Sequence, residues 1–437
     1  MMSRAMLVLA LGQFLVCVAT PALAADAPAV VIKGVTLLSV VPGEPPLPDA
    51  EIVIVGTQVA CIGVSRPDPA AADVRAHQAC AARYPAAQIH DFLGKSTATP
   101  GLVEALSRIG QIEIDAEDAS HDGVAGHSTN AAHVRAIDGI ALRSRSVDAA
   151  RWGGVTAVLA RPLGNALIVG SSVAFRTHGE MVDTAVVRDR VALHCNLGED
   201  AKRDAPVVGA RSGQIAVLRG LLRDAARLNS LAKQKLSATE LESLQRLKDD
   251  PAMVAFAEML RSGRAIVAHA NRADDIAALL RLQRESPFRL VIAGGAEAHV
   301  VAETLAAQKV PVILTNVRGK PYEFATRRAS EQSAVILAKA GVTLAIATAD
   351  THNARNLRWE AGLAAGFGLD RDVALAAVTR TVAEILDLSS GTRPVTGTVR
   401  TAGPADLLVC DADPLSLAGH VQLVVTGGVV EVAPKQR

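Results

Sequence analysis

The run Ala265-Ile266-Val267-Ala268-His269 decides the fold class, together with the helix and the strand that follow it. Its aliphatic residues predict a short buried strand. Residues 274–282 carry apolar side chains at three- and four-residue steps, which predicts a helix, and residues 289–294 repeat the strand pattern. A strand, a helix and a strand in this order are typical of a parallel βα unit.

The same alternation extends through the middle of the chain. Further strands are predicted at residues 154–159, 310–314 and 342–347, and a further helix at residues 329–340. Right-handed crossovers on one parallel sheet favour a closed barrel, in which functional side chains lie at the C-terminal ends of the strands. We therefore expect an α/β fold with a (β/α)8 TIM-like barrel.

Strands without intervening helices are predicted near both chain ends. They lie at residues 30–38, 51–55, 406–410, 421–425 and 429–432. Because strands from the two ends can pair, we expect one small β-sandwich domain built from residues 25–98 and 395–437. The barrel is expected over residues 99–394.

Composition agrees with this architecture. The 437 residues are 50% hydrophobic with a formal net charge of +1, which indicates one large core and excludes a nucleic-acid-binding surface or an acidic tail. Only 3% are aromatic, so the core must consist mainly of Ala, Val, Leu and Ile, as in α/β barrels. We expect a small-molecule substrate or ligand. Barrel enzymes are often dimers, so a homodimer is a further expectation.

The N-terminus predicts an export signal over residues 1–24. Arg4 supplies a positive charge, residues 5–20 are apolar, and Ala22-Leu23-Ala24 forms a small-x-small cleavage site before Ala25. The apolar run is too short for a good membrane span. Cys17 lacks the small neighbours of a lipid-anchor site. We expect a secreted, periplasmic protein whose mature chain begins at Ala25.

Four cysteines remain after such a cut, and an oxidising compartment favours their pairing. Cys61 follows an apolar run and a glycine turn, and Cys80 lies in the loop before residues 89–92. We predict a Cys61–Cys80 disulfide that ties a long surface loop to the small β-domain. The alternative is two buried free thiols.

One stretch links the barrel to a known family. Thr99-Pro100-Gly101-Leu102-Val103-Glu104-Ala105-Leu106-Ser107-Arg108 resembles the first barrel-strand motif of the amidohydrolase superfamily. There, Pro-Gly-Leu-(Ile/Val)-(Asp/Glu) precedes His-x-His, and the two imidazoles hold a catalytic divalent metal. The histidine positions are Leu106 and Arg108 here. Leucine cannot ligate a metal and a guanidinium repels one.

The C-terminal half strengthens this resemblance. Residues 340–350 resemble the family's last barrel strand, which ends in the aspartate that serves there as metal ligand and proton acceptor. Residues 374–379, 383–386 and 397–409 are similar to its closing helix and its return to a small β-domain. The run Asp350-Thr351-His352-Asn353-Ala354-Arg355-Asn356 resembles a secreted, imidazolonepropionase-like branch that also lacks the first-strand histidines.

The resemblance implies a hydrolase of C–N bonds in non-peptide amides or lactams, with a reduced metal site. His269 stands at the fifth-strand ligand position and Asp350 at the last-strand position, whereas Gly294 stands where a sixth-strand histidine is usual. A catalytic zinc needs about three protein ligands. At most one zinc-like ion is therefore expected, on His269 and Asp350 with His352 or Glu297 as the third ligand, or none.

If the family mechanism applies, the metal lowers the pKa of a bound water and Asp350 takes its proton, while His269 ligates the metal or polarises the carbonyl. Several candidates also have a structural interpretation. Glu297 and His299 fit a helix-start acid and a solvated histidine. The run after Asp350 fits a helix-capping turn, although His352 and Arg355 are also candidates for substrate binding.

Two further histidines, His178 and His194, are expected to be structural.

A second function stays open. In it the barrel is catalytically inactive and binds a small anionic ligand or a partner, with Arg108 in place of the metal's positive charge. The alternative for Arg108 is a rim arginine paired with Glu104 or Glu113.

Overall fold

The computed structural model describes residues 29–124, 129–202, 208–230 and 237–432. The expected signal peptide and its cleavage site before Ala25 lie outside these residues. None of the helices in the described ranges is long and apolar enough to cross a membrane.

The described residues contain strands in three sheets and helices that mostly lie between the parallel strands. The strands are β1 (Ala29–Leu37), β2 (Leu47–Val55), β3 (Gln58–Val64), β4 (Gln88–Pro100), β5 (Leu102–Ser107), β6 (Val155–Ala160), β7 (Ile168–Ser171), β8 (Val173–Arg176), β9 (Val186–Arg188), β10 (Ala192–Asn196), β11 (Ala265–Ala270), β12 (Leu290–Gly294), β13 (Val312–Leu314), β14 (Leu344–Ile346), β15 (Leu407–Cys410), β16 (Val421–Thr426) and β17 (Val429–Val432). The α-helices are α1 (Arg145–Trp152), α2 (Val182–Ala185), α3 (Arg211–Ser230), α4 (Ala238–Lys248), α5 (Pro251–Arg261), α6 (Ala273–Glu285), α7 (Ala302–Ala307), α8 (Ser333–Lys339), α9 (Leu357–Gly366), α10 (Arg371–Ala376) and α11 (Arg380–Ile385).

Strands from both chain ends share one mixed sheet. Its order is β17-β16-β15-β4-β1-β2-β3, and β15 pairs antiparallel with the end of β4. Ile32, Ile52 and Leu407 are buried in one apolar cluster, and Val31 and Val53 in another. Alternating residues of a strand point to opposite faces, so both faces of this sheet bury apolar side chains. The joining of the two ends is as expected. The pairing defines one sheet, so a two-layer sandwich stays a prediction.

A disulfide lies at the edge of this sheet. Cys61 in β3 is bonded to Cys80, with their Cα atoms 5.9 Å apart. The bond ties the loop after β3 back to the sheet. Cys195 and Cys410 are free and buried.

Gly101 lies between β4 of the shared sheet and β5, the first strand of the parallel units. A Cβ atom at this position would lie 2.2 Å from Oγ1 of Thr156 in β6. The backbone of Gly101 therefore approaches β6 more closely than a side chain would allow.

The middle of the chain contains the βα units that the sequence predicts. Parallel pairing joins β5 to β6 and runs continuously from β10 through β11, β12 and β13 to β14. The inner apolar cluster consists of Val, Ala, Leu and Ile side chains, among them Val103, Val267 and Ile313. The α/β fold is therefore as predicted for these units.

One segment that the sequence did not predict as a strand departs from the parallel pairing. β8 pairs antiparallel with β6, and β7 pairs antiparallel with β10. Only Ser172 separates β7 from β8, so residues 168–176 run antiparallel between two parallel sets. On the other side, the Ile346 amide donates to the Ala377 carbonyl and the Val103 amide to the Val378 carbonyl. Strand pairing gives two sheets here, and full closure stays a prediction.

Candidate functional site

A cavity of about 150 Å³ lies at the C-terminal ends of the parallel strands. Residues at or just beyond the ends of β5, β6, β11, β12 and β14 form its wall, among them Leu106, Arg161, His269, Asn271, Gly294 and Ala349. The left-handed φ of +56° at Ala349 is strained for a residue with a side chain. Such strain is commonly retained at functional sites. The place of the cavity at the C-terminal ends of the strands agrees with the site expected for a barrel.

Two histidines contact each other at this cavity. Nδ1 of His194 in β10 lies 3.1 Å from Nε2 of His269 in β11, which is hydrogen-bond distance. Their ring centroids are 5.4 Å apart. His194 is fully buried and His269 is half-buried. We expected a structural role for His194, and the structure places it in direct contact with a candidate site residue.

The two rings share one proton across this contact. Nε2 of His194 is buried and has no hydrogen-bond partner among the described residues. One neutral ring donates and the other accepts, so either tautomer gives a hydrogen bond between Nδ1 of His194 and Nε2 of His269. In both cases Nε2 of His269 is engaged with His194.

Burial and a nearby arginine keep both imidazoles neutral. Burial, and after it the charge of Arg161, hold the pKa of each of His194 and His269 well below the ordinary histidine value. Arg161 directly follows β6 and lies in the cavity wall. The guanidinium of Arg161 therefore lies in the cavity wall beside two uncharged rings.

A group of oxygen atoms lies next to the cavity, at the ends of β5 and β14. The Glu104 carboxylate is fully buried and accepts hydrogen bonds from the Thr348 hydroxyl at 2.6 Å and from the Leu106 amide at 3.0 Å. Burial outweighs these bonds and raises the pKa of Glu104 to about 7. The Ser107 hydroxyl donates to the Asp350 carbonyl at 2.9 Å, which holds the two strand ends together.

Asp350 keeps its negative charge. Burial by itself raises the pKa of Asp350, but hydrogen bonds from Asn353 and Thr351 and the charge of Arg108 outweigh it, so this pKa lies below the ordinary value. Asn353 donates from Nδ2 to Oδ2 of Asp350 at 2.9 Å. The structure therefore brings Arg108 into electrostatic contact with Asp350. Within the described ranges, Arg108 forms no ion pair with Glu104 or Glu113.

A side-chain amide lies against the sixth-strand position. A Cβ atom at Gly294 would lie 2.6 Å from Oδ1 of Asn271, and Gly294 has φ +86°. The Asn271 amide therefore fills the space beside this glycine. Glu297 is also engaged, because it accepts a hydrogen bond from the Ala273 amide at the start of α6, at 3.0 Å. This agrees with the helix-start interpretation, although the helix is α6 and not the one that follows Glu297.

Other candidates lie away from the cavity wall. His352 is exposed, with Nε2 3.9 Å from Asp115, and Arg355 is exposed. His299 is half-buried and contacts the Ser333 hydroxyl at 2.9 Å, so it is not simply solvated. The structure does not bring His352 or Arg355 into the cavity wall.

His178 lies in a different part of the molecule. Its Nδ1 is 2.8 Å from Glu431 in β17, which belongs to the sheet built from both chain ends. This contact agrees with the structural role expected for His178.

These residues do not fit a zinc-like ion. No group of three or more His, Cys, Asp or Glu side chains is placed to hold a metal within the ranges that the structure describes. Leu106 and Arg108 supply no donor at the first strand, and Asn271 fills the space beside Gly294. Nε2 of His269 is engaged with His194. The expected set of His269, Asp350 and a third ligand is therefore not assembled.

Sequence reasoning missed Arg161, Asn271 and the contact of His194 with His269. Arg161 and Asn271 each follow a predicted strand within two residues, so position alone could have identified them. The histidine contact joins residues 75 positions apart and needs the parallel pairing of β10 with β11.

Comparison with known proteins gives one sequence relative and several structural ones. No protein-family model matches the chain. The protein "Amidohydrolase tasK" of Hapsidospora irregularis is 27% identical over 319 residues, which are 64% of this chain and 32% of that protein. The chain thus spans about a third of the length of this curated relative.

Solved structures extend the likeness over nearly the whole chain. An amidohydrolase from Thermotoga maritima superposes with a TM-score of 0.76 at 23% identity, covering 92% of this chain and 99% of that chain. A prolidase complexed with N-methylphosphonate-L-proline has a TM-score of 0.55 at 19% identity, with 92% and 99% covered. An adenosine deaminase from Xanthomonas campestris with bound zinc has a TM-score of 0.52 at 15% identity, with 92% of each chain covered. The α/β fold is that of amidohydrolase barrel proteins.

Proposed function

We propose that this chain is an amidohydrolase-like protein of the imidazolonepropionase-like branch, and that its strand-end cavity binds a small carboxylate-bearing amide or lactam. The proposal includes a closed (β/α)8 barrel and a small β-sandwich domain. The observation that carries it is Arg161, whose positive charge lies in the cavity wall beside two neutral imidazoles.

The charges around the cavity suit such a ligand. Arg161 offers a planar guanidinium to a carboxylate. Glu199, which is paired with Arg211 at 2.5 Å, and Glu323 also lie in the wall. Asn271 supplies a donor for a carbonyl. A molecule with a carboxylate next to an amide or lactam can use both Arg161 and Asn271.

Calorimetric titration with matched ligands tests this proposal. N-acetylglycine and 5-oxoproline should bind, and N-acetylglycinamide, which lacks the carboxylate, should bind about tenfold to a hundredfold more weakly, because a charged hydrogen bond contributes roughly 1.5–3 kcal/mol. Arg161→Gln should remove this preference. Arg223→Gln, which removes a charge from an exposed position on α3, should retain it. Equal binding of the acid and the amide would contradict the proposal.

A second candidate, favoured by Glu104, is hydrolysis of the ligand's C–N bond. A buried acid whose pKa is about 7 and which contacts Thr348 next to Asp350 suits proton transfer near neutral pH. Asp350 would take a proton from water as the oxygen bonds to the carbonyl carbon. The C–N bond would then break, its electrons going to the nitrogen, which takes up a proton.

Product analysis separates this candidate from binding alone. Proton NMR, with and without added zinc, measures the acetate released from N-acetylglycine. The parent should release acetate, and Asp350→Asn should not. Binding without acetate in either condition would leave ligand binding as the function.

Export is part of the proposal and has its own test. N-terminal sequencing of the protein from a periplasmic extract should begin at Ala25, because Ala22 and Ala24 fit the small-residue cleavage site. A sequence beginning at Met1 or Met2 would contradict export by this route.

A further inference from the structure

The loop after β13 presents aromatic side chains beside the cavity. Tyr322 is 70% exposed and Phe324 is 63% exposed. In a chain with 3% aromatic residues, they are the two exposed aromatic side chains among the residues the structure describes. Glu323 between them and Ala325 after them both lie in the cavity wall. The pair therefore lies at the edge of the candidate site.

Two arginine guanidinium groups lie against the ring of Phe324. The guanidinium carbon of Arg327 is 4.2 Å from the ring centroid of Phe324, and that of Arg272 is 5.9 Å away. Arg272 directly follows Asn271, which is a wall residue. Guanidinium groups at these distances attract the ring face and orient it, and the ring still keeps most of its surface exposed.

The loop that carries these rings is held in a defined shape. The Asn316 side chain donates to the Lys320 carbonyl at 2.7 Å and accepts from the Lys320 amide at 3.2 Å. The Glu323 amide donates to the Thr326 hydroxyl at 3.1 Å. Exposed aromatic side chains on a loop held by such bonds lose little freedom when they bind a ligand.

We propose that Tyr322 and Phe324 form a second subsite, continuous with the cavity, that binds an aromatic acyl group of the ligand. This inference rests on the proposed function, because the ligand's carboxylate and amide occupy the cavity below. Stacking on Phe324 and the two arginines selects a planar group over a small alkyl group. The expected ligand class is therefore an N-aroyl or N-arylacetyl amino acid.

The test compares acyl groups on one carboxylate. N-benzoylglycine and N-acetylglycine are titrated into the full-length protein by calorimetry. N-benzoylglycine should bind about tenfold more tightly than N-acetylglycine. This ratio of dissociation constants corresponds to the upper end of the interaction free energy of an aromatic pair. In Phe324→Ala this ratio should fall towards one, whereas Phe324→Trp should retain it. Leu417→Ala, which removes an exposed apolar side chain elsewhere, should leave it unchanged.

The outcomes separate the two proposals. If both acids bind equally to the parent, the aromatic subsite is wrong and the cavity proposal stands. If Phe324→Ala keeps the parent's preference for the benzoyl compound, the subsite is also wrong. If neither acid binds, the function proposed for the cavity fails. Loss of N-acetylglycine binding in Phe324→Ala, checked together with its thermal unfolding, would show a disturbed cavity wall and so contradict an independent subsite.

Discussion

At the residue scale, His269 differs most from what its sequence position predicts. The resemblance to amidohydrolases implies a metal ligand at this position, but the pKa of His269 depends on burial and on Arg161, and its Nε2 contacts His194. A neutral ring whose Nε2 is already engaged has only Nδ1 left for a further partner. The resemblance to amidohydrolases therefore implies a site position for His269, and the neighbours of the ring determine what it can do.

Removing the charge of Arg161 should raise the pKa of His269. Arg161 disfavours the imidazolium form, so Arg161→Gln should shift the titration of the His269 ring to higher pH, although burial still holds the pKa down. The ring proton resonances followed by NMR against pH report this shift. Arg223→Gln on the exposed face of α3 is the control and should leave the titration unchanged. An unchanged His269 titration in both variants would show that Arg161 does not act on the ring.

The raised pKa of Glu104 makes the free energy of unfolding depend on pH. Its pKa in the folded protein is about 7, above the ordinary 4.5, so between these values the folded protein holds a proton that the unfolded chain has released. The associated contribution to the free energy of unfolding is complete below pH 4.5 and is lost as the pH rises through 7. Its size is up to about 3 kcal/mol.

The variant Glu104→Gln should remove this pH dependence. Between pH 4.5 and pH 8 the parent should lose up to about 3 kcal/mol more in free energy of unfolding than Glu104→Gln does. Urea unfolding at several pH values measures the difference. Glu113→Gln, at an exposed carboxylate near the same strand end, should follow the parent. Parallel pH profiles of parent and Glu104→Gln would contradict a raised pKa.

At the element scale, the sequence predicts the buried parallel strands well and their direction less well. β11 and β12 show short aliphatic runs followed by amphipathic helices, and this local pattern determines both element types. Residues 168–176 are equally apolar, but a strand's direction depends on which neighbours it pairs with. Those neighbours are distant in sequence, so no local pattern contains this information.

The disulfide is an element-scale prediction, because it joins β3 to the loop after it. Its two cysteines are 19 positions apart, and closing a loop of this size in the unfolded chain corresponds to about 3 kcal/mol in the chain-entropy model. The double variant Cys61→Ser/Cys80→Ser should therefore unfold at a lower urea concentration than the parent, with a free energy of unfolding about 3 kcal/mol smaller. Reductant should destabilise the parent and leave the double variant unchanged. Alkylation of both cysteines in unreduced, denatured parent would show that the bond does not form.

At the scale of the whole molecule, the fold is more predictable than the site. The sheet shared by both chain ends and the βα units follow from hydrophobic patterns, which apply along every strand. The site depends on single side chains that meet across strands, such as Asn271 beside Gly294. A substitution at one such position changes the chemistry of the cavity and leaves the pattern of the strands intact.

Restoring the two imidazoles of the first strand tests whether the scaffold still supports a metal centre. Residues 106 and 108 are two positions apart at the end of β5, so their side chains lie on the same face of the strand. Leu106 lies in the cavity wall, and the charge of Arg108 lowers the pKa of Asp350.

Leu106→His/Arg108→His should therefore add two donors to His269 and Asp350 and remove one repulsive charge. After zinc loading and dialysis, elemental analysis should give about one zinc per chain for this variant, since about three protein ligands suffice. The parent and Leu106→Gln/Arg108→Gln, which lacks both imidazoles and the charge, should hold less. Retention of zinc by the Gln pair to the same level as by the His pair would show that the charge of Arg108, and not the loss of donors, separates this protein from a metal-binding amidohydrolase.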